Sequence, residues 1–280
     1  MMYMTIQYIP KNKRYNSTKG TIPLNSKEAW LMYPQYRRFV NRTEILQFQN
    51  INHLPVEIVN RQMPIVVKPY YNLSSLDGNA KIINDFNELE HFLNKGYFWH
   101  KQYTGKTGSF QIVIVNGEIK WHCYFHKSMR IEYNETESIG CYKLEKVHIE
   151  NKELLPVIKD YCKIMLNNFT GIVSIDIVDD IIIDTHLHMT YLSLIIDDVL
   201  QRSIINLYSN SVWQLPDNYT LDRFCVVFFD EIKDIKNIVK KYSKYITWYH
   251  VTQNPLESYK IMLGGESKTK MSKIYSRCLV

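Results

Sequence analysis

Apolar and polar positions between residues 171 and 189 define the most ordered pattern in the chain. Gly171-Ile-Val-Ser-Ile-Asp-Ile-Val-Asp-Asp-Ile-Ile-Ile-Asp-Thr-His-Leu-His-Met189 reads as two β-branched strands joined by a tight turn at Asp179-Asp180. Upstream, Leu155, Ile158, Cys162 and Met165 fall three or four residues apart, which predicts an amphipathic helix over 151–168. Phe39, Ile45 and Leu46 predict helix over Glu28–Asn50, with Asn50 as its stop. Pro64-Ile-Val-Val-Lys-Pro69 is a short buried strand closed by proline, followed by a polar loop over 72–79. Asp85–Asn94 is expected to be helical, capped by Asn84 or Asp85 and stopped near Gly96.

Tyr97–Tyr103 and Ser109–Val115 read as strands, and Asn116-Gly117 is a hairpin signal into a third strand, Glu118–His126. Ile195–Tyr208 is expected to be helical. Near Pro216 the character changes, and Arg223–Phe229, Glu231–Lys241 and Tyr245–Val251 read as strand, helix, strand. Three regions follow: a basic N-terminal arm over 1–25, a main domain over 26–214, and a small C-terminal α/β appendage over 215–280.

The acidic hairpin carries the candidate chemistry. It sets Asp176, Asp184, His186 and His188 among Ile and Val. A carboxylate buried there without a partner costs several kcal/mol, so it needs a cation or strong donors. Oxygen clusters of this kind hold hard divalent ions, and a satisfied polar network is the alternative. Register decides between them. With a plain two-residue turn, Asp176 faces Ile183 and Asp184 lies on the opposite face of the sheet. A shared metal site demands an odd-length loop or a bulge, so that Asp176 and Asp184 stand side by side. Without a cation between them they would repel, and removing one charge would then stabilise the fold.

Composition narrows the classes. A chain of 280 residues with 22% charged and 45% hydrophobic residues builds an ordinary globular core. Its net charge of +6 suits an anionic ligand but is too diffuse to argue for nucleic acid. Five scattered cysteines, with no Cys-x-x-Cys, fit reduced thiols and a cytoplasmic setting. No apolar run is long enough for a membrane span, and the N-terminus lacks a signal-peptide core. The wealth of Ile, Asn, Lys and Tyr points to an AT-rich coding genome, as in many viruses.

Other motifs are weaker. Thr104-Gly-Lys-Thr-Gly108 is no P-loop, because position 100 is histidine and a strand follows instead of a helix. His122 and His126 share a strand face but stand roughly 13 Å apart at about 3.3 Å per residue, too far to bind one zinc. Trp99, Tyr103 and Trp121 are core or groove aromatics. Lys68, an ammonium at the end of an apolar strand, must snorkel to water or find an anion such as phosphate.

Taken in order, these pieces resemble the ATP-grasp family: a strand lysine, a polar loop, the hinge segment His100-Lys-Gln-Tyr103, an antiparallel sheet, then a helix leading to an acidic strand pair. The resemblance spans about residues 35–200. Lys68-Pro-Tyr-Tyr-Asn-Leu73, Tyr97-Phe-Trp99 and Asp184-Thr-His-Leu-His188 also resemble an uncharacterised ATP-grasp-like branch of phages and other viruses. The resemblance implies an α+β fold whose antiparallel sheets and helices enclose a nucleotide cleft, with a βαβ-like C-terminal appendage. It implies ATP and Mg2+, or Mn2+ in its place, and a ligase that activates a carboxylate as an acyl phosphate for attack by an amine. Arg42 and Lys68 would contact the phosphates, Lys68 with Lys101, Gln102 and Tyr103 would hold the nucleotide, and Asp176, Asp184 and His186 the metal. The sequence departs from active members in having Asp184 for Glu, His186 for Asn and Arg42 for Lys. A catalytically degenerate scaffold with a structural or binding role, in a virion or elsewhere, is therefore the second reading. A module binding anions or nucleic acid through its basic arm and aromatic groove is the third.

Overall fold

A computed structural model describes residues 22–23, 25–56, 63–71, 73, 80–133, 140–150, 152–189, 197–217, 219, 221, 223–228, 240–244, 248–251, 261–265, 270, 271 and 274. Most of the basic arm, most of the 72–79 loop and most of the expected helix 231–241 lie outside these residues.

The expected helix over Glu28–Asn50 is three short pieces: α1 (Ser26–Met32), a 3-10 turn (Pro34–Val40) and α2 (Arg42–Phe48). The reason is local. Pro34 cannot continue a helix begun before it, and it opens the 3-10 turn instead. Asn41 then accepts a hydrogen bond from the Thr43 backbone N–H at 3.0 Å and starts α2 afresh. The segment read as a helix after Asp85 is likewise a 3-10 stretch, Phe86–Phe92, capped by the Asp85 side chain.

The described strands form one sheet, antiparallel at every pair. In chain order they are β1 (His53–Pro55), β2 (Ile65–Pro69), β3 (Lys81–Ile83), β4 (Tyr97–Lys101), β5 (Thr107–Val115), β6 (Glu118–Tyr133), β7 (Gly140–Glu150), β8 (Gly171–Val178) and β9 (Ile181–His186). Their order across the sheet is β1-β4-β2-β3-β7-β6-β5-β8-β9. The Asn116-Gly117 hairpin forms as expected, with both residues at positive φ (52° and 81°). The strand after it runs on to Tyr133, well past His126.

Beyond them, β10 (Arg223–Phe228) pairs with β7 and with β12 (Ile261–Gly265), and β11 (Trp248–Val251) pairs with the other edge of β12. The C-terminal strands thus continue the sheet of the main domain through residues 146–149. Among the described residues, no helix is long and apolar enough to cross a membrane.

The two faces of the sheet serve different ends. Phe110, Ile112, Ile114, Val173, Ile175, Ile177 and Ile182 pack against α1, the 3-10 turn and α3 (Pro156–Met165). Helix α3 is shorter than the 151–168 expected, because Pro156 sits at its first position. Its Tyr161, which the apolar spacing did not single out, is fully buried and donates to the Phe39 carbonyl at 2.9 Å. On the opposite face Val113, Phe125 and Ile172 meet α4 (Asp198–Asn210) through Leu200, Ile204 and Leu207. Further along that face the residues turn polar, with Ser109, Gln111 and Ser174 all fully buried. These side chains hydrogen-bond one another beneath the stretch of sheet that carries Asp176.

Candidate functional site

The acidic hairpin closes with a two-residue turn, since Val178 pairs with Ile181 and Asp179 lies at φ 52°. Yet Asp176 stands directly opposite Asp184. The pairing runs Asp176–Asp184 and then Ile177–Ile182, so Ile183 is an extra residue, a β-bulge. The bulge lets Ile182 face the core while Asp184 faces the side of Asp176. It is the device a shared acidic site requires, and it frees a carbonyl. The Lys68 ammonium donates to that carbonyl of Ile183 at 3.0 Å.

Each carboxylate has its own cation. Arg42 opens α2, and its backbone N–H donates to the Tyr70 carbonyl at 3.0 Å, which ties the helix to the end of the strand carrying Lys68. Its guanidinium grips both oxygens of Asp184: Nε donates to Oδ1 at 3.1 Å and Nη2 to Oδ2. Lys127, on β6, donates to Asp176 Oδ1 at 2.8 Å. The acids are satisfied by protein cations, the alternative to a metal that the sequence left open, and the repulsion expected without a cation is offset. Burial pushes the Asp184 carboxyl up, but Arg42, with His186 and Lys68, outweighs it and holds the group well below the usual carboxylate range. Burial also opposes ionisation of Asp176, whose pKa Lys127, His186 and Ser109 bring down.

Arg42, Lys68, Lys127, Asp176 and Asp184 line one cleft with Val66, His100, Tyr103, Thr107 and Gly108. It holds about 840 Å³ of empty space counting its open mouth. Three cations face two carboxylates there, so the cleft has a positive charge in excess and favours an anion. Burial, then the neighbouring Arg42, brings the Lys68 ammonium down to about 8.

Of the residues expected at the site, Arg42, Lys68, Tyr103, Asp176 and Asp184 border this cleft. Lys101 is exposed at the end of β4, and neither it nor Gln102 is among the lining side chains. His186 lies 3.9 Å from Asp184 but lines a smaller hollow beside Ser26, Trp30 and Thr185. Its neighbour His188 accepts from or donates to Ser26 Oγ at 3.0 Å. Sequence reading missed Lys127 and His100 as site residues. Lys127 gave a weaker signal than Lys68, because it lies inside β6 after a mixed run, Trp121-His-Cys-Tyr-Phe-His126, with no proline to mark it.

Among the described residues, no three His, Cys, Asp or Glu side chains converge as a metal-binding group. Magnesium seldom needs such a cage. It is held by one or two carboxylates together with water and substrate phosphates, and Asp176 and Asp184 on adjacent strands supply that donor set.

No family model and no curated protein matches the sequence. Solved structures do match the fold. An L-amino acid ligase from Bacillus licheniformis superposes with a TM-score of 0.62 at 12% identity, covering 90% of this chain and 75% of that one. A carboxyaminoimidazole ribonucleotide synthase from Aspergillus clavatus, complexed with ATP, gives 0.56 at 9% identity over 87% and 72%. The biotin carboxylase domain of the Hydrogenobacter thermophilus 2-oxoglutarate carboxylase, in complex with MgADP, ADP and bicarbonate, gives 0.53 at 9% over 87% and 66%. The chain has an ATP-grasp fold. At these identities the likeness is one of architecture, and these structures do not bear on a phage or viral origin. The described mixture of helices and antiparallel sheet agrees with the ATP-grasp architecture expected from the order of motifs.

Proposed function

We propose that the protein is an ATP-dependent ligase that joins a carboxylate to an amine through an acyl phosphate. The observation that supports this best is the convergence of Arg42, Lys68 and Lys127 with the paired Asp176 and Asp184 in one cleft of an ATP-grasp fold. In this reading the γ-phosphoryl group passes to a carboxylate oxygen, breaking its bond to ADP. The amine then attacks the acyl carbon, phosphate leaves, and the nitrogen gives up a proton. Lys68 and Arg42 steady the phosphate oxygens, and Lys127 adds a third positive charge where negative charge moves. Asp176 and Asp184 would hold magnesium arriving with the nucleotide, which offsets phosphate charge when bound. His186, outside the cleft lining and 3.9 Å from Asp184, would act on the metal only through the charge of that carboxylate. Both substrates supply their own reacting atoms, so no nucleophilic side chain is needed.

A second reading has its own observation. Arg42 already occupies both oxygens of Asp184, and Lys127 holds Asp176, so the acids are neutral as a group without a metal. This fits a scaffold that binds nucleotide or a partner without turnover. Calorimetric titration with ATP, alone and with magnesium or manganese, separates these readings when paired with phosphate release over mixed carboxylates and amines. Metal-dependent binding with release that requires both substrates is the result expected of the ligase. Binding without release selects the scaffold, and no ATP binding rejects both.

A further inference from the structure

We propose that His100 selects the base of the bound nucleotide, its Nε2 accepting a hydrogen bond from an exocyclic amino group such as the 6-amino group of adenine. The inference rests on the cleft being the ATP site proposed above and adds the side chain that reads the base.

His100 lies on β4 opposite Val66, is 2% exposed and lines the cleft. Its Nδ1 is 2.7 Å from the Lys101 carbonyl. A carbonyl only accepts, so Nδ1 carries the proton and Nε2 is left as a bare lone pair. That nitrogen is buried with no hydrogen-bond partner among the described residues. A buried acceptor left unpaired is costly, and a ligand that supplies an N–H removes the cost.

The ring is held in place. It stacks on Phe98 at 6.1 Å and on Tyr103 at 5.6 Å between centroids, with planes 29° and 25° apart. Burial, and after it the Lys68 cation, brings its pKa down to about 3, so the imidazole stays neutral near pH 7 and keeps its lone pair. Nδ1 also occupies one acceptor position of Lys101, the backbone group that the family resemblance offers to the base. Recognition thereby moves from that carbonyl to the imidazole. A 6-oxo purine would set an oxygen lone pair against Nε2, leaving two buried acceptors face to face. Inosine triphosphate differs from ATP at this edge alone and should bind roughly 10- to 100-fold more weakly.

The test is calorimetry on the full chain with ATP, inosine triphosphate and tripolyphosphate. Wild type should prefer ATP by that factor. In His100→Gln, whose amide can turn to donate or accept, the two nucleotides should bind within about threefold of each other, as a reversible amide has no fixed preference. Tripolyphosphate affinity should be unchanged. Equal binding of the two nucleotides by wild type, or an ATP preference that survives in His100→Gln, overturns the proposal and leaves the nucleotide site standing. Failure of wild type to bind either nucleotide overturns both. Should His100→Gln fail to fold, nitrogen-15 histidine spectra of wild type decide: ATP should shift one unprotonated imidazole nitrogen upfield and inosine triphosphate should not. Absence of that shift also overturns the proposal.

Discussion

Replacing Asp184 by Asn removes one charge and almost no volume, and the structure makes the outcome specific. Asp184 Oδ1 accepts from Arg42 Nε at 3.1 Å and from the Thr185 backbone N–H at 3.0 Å, while Oδ2 takes Arg42 Nη2. Asn keeps one oxygen and turns an NH2 group toward a guanidinium that can only donate. The Arg42 side chain is 4% exposed, so water cannot take over. The next carboxylate, Asp176, is held by Lys127. Breaking a buried pair from one side costs about 3–5 kcal/mol, and the oxygen that Asn retains puts this case near 3. For a domain of this size that lowers Tm by roughly 6–12 °C.

The assay is a thermal melt of wild type, Asp184→Asn and the double variant Arg42→Met/Asp184→Leu, without nucleotide. The double variant should recover most of the loss, because an apolar pair needs no compensation. The pH dependence has a definite sign. Asp184 has a lowered folded pKa, so its stabilisation is complete above the ordinary aspartate range and is lost as pH falls through the folded value. Asp184→Asn should lack that acid dependence. An Asn variant melting at or above wild type would refute the ion-pair argument, and would revive two acids repelling each other with no cation between.

Three further outcomes follow from the cleft. Lys68 titrates near 8 in the folded protein against an ordinary 10.5. The unfolded state therefore holds more protons in that window, and wild type should gain stability from pH 8 to 10.5 relative to Lys68→Met, read by denaturant titration. A polyphosphate in the cleft should restore the proton, so calorimetry at pH 8 in buffers of different ionisation heat should show uptake of about 0.5 proton in wild type and none in Lys68→Met. Lys127→Met strips Asp176 of its ammonium. Because the Asp176 side chain is 20% exposed, the cost should be about 2–3 kcal/mol, seen as a lower urea midpoint at unchanged slope.

Much of the fold was legible because it rests on local signals. The 171–189 hairpin, the Asn116-Gly117 turn and the strand ending in Lys68-Pro69 all follow from side-chain period, turn chemistry and proline. The errors have equally local causes. Apolar spacing over Glu28–Asn50 carries no warning that Pro34 and Asn41 would divide it, although both residues are in plain view. Apolar counting also passed over Tyr161, whose hydroxyl is satisfied by the distant Phe39 carbonyl.

The site was legible in outline, and its wiring was not. A hairpin of Ile and Asp shows that the acids must be satisfied, and the chain alone showed that a shared site needs an odd loop or a bulge. It could not show that the bulge falls at Ile183, because a bulge is chosen by what both faces need at once: Ile182 in the core and Asp184 in the cleft. Nor does sequence show which cation meets which acid. Arg42 lies 142 positions from Asp184 and Lys127 lies 49 from Asp176, so each pairing exists only after α2 has met β9 and β6 and β8 have been brought into one sheet. The same holds for His100, whose meaning depends on a proton fixed by the next residue's carbonyl and on a burial that β2 and β4 create together. The bulged strand thus does two jobs with one inserted residue. It turns an acid toward the cleft, and it exposes the carbonyl that keeps Lys68 beside that acid. Any ligand that draws Lys68 away must supply an acceptor at least as good, and a phosphate oxygen, being charged, is a better one.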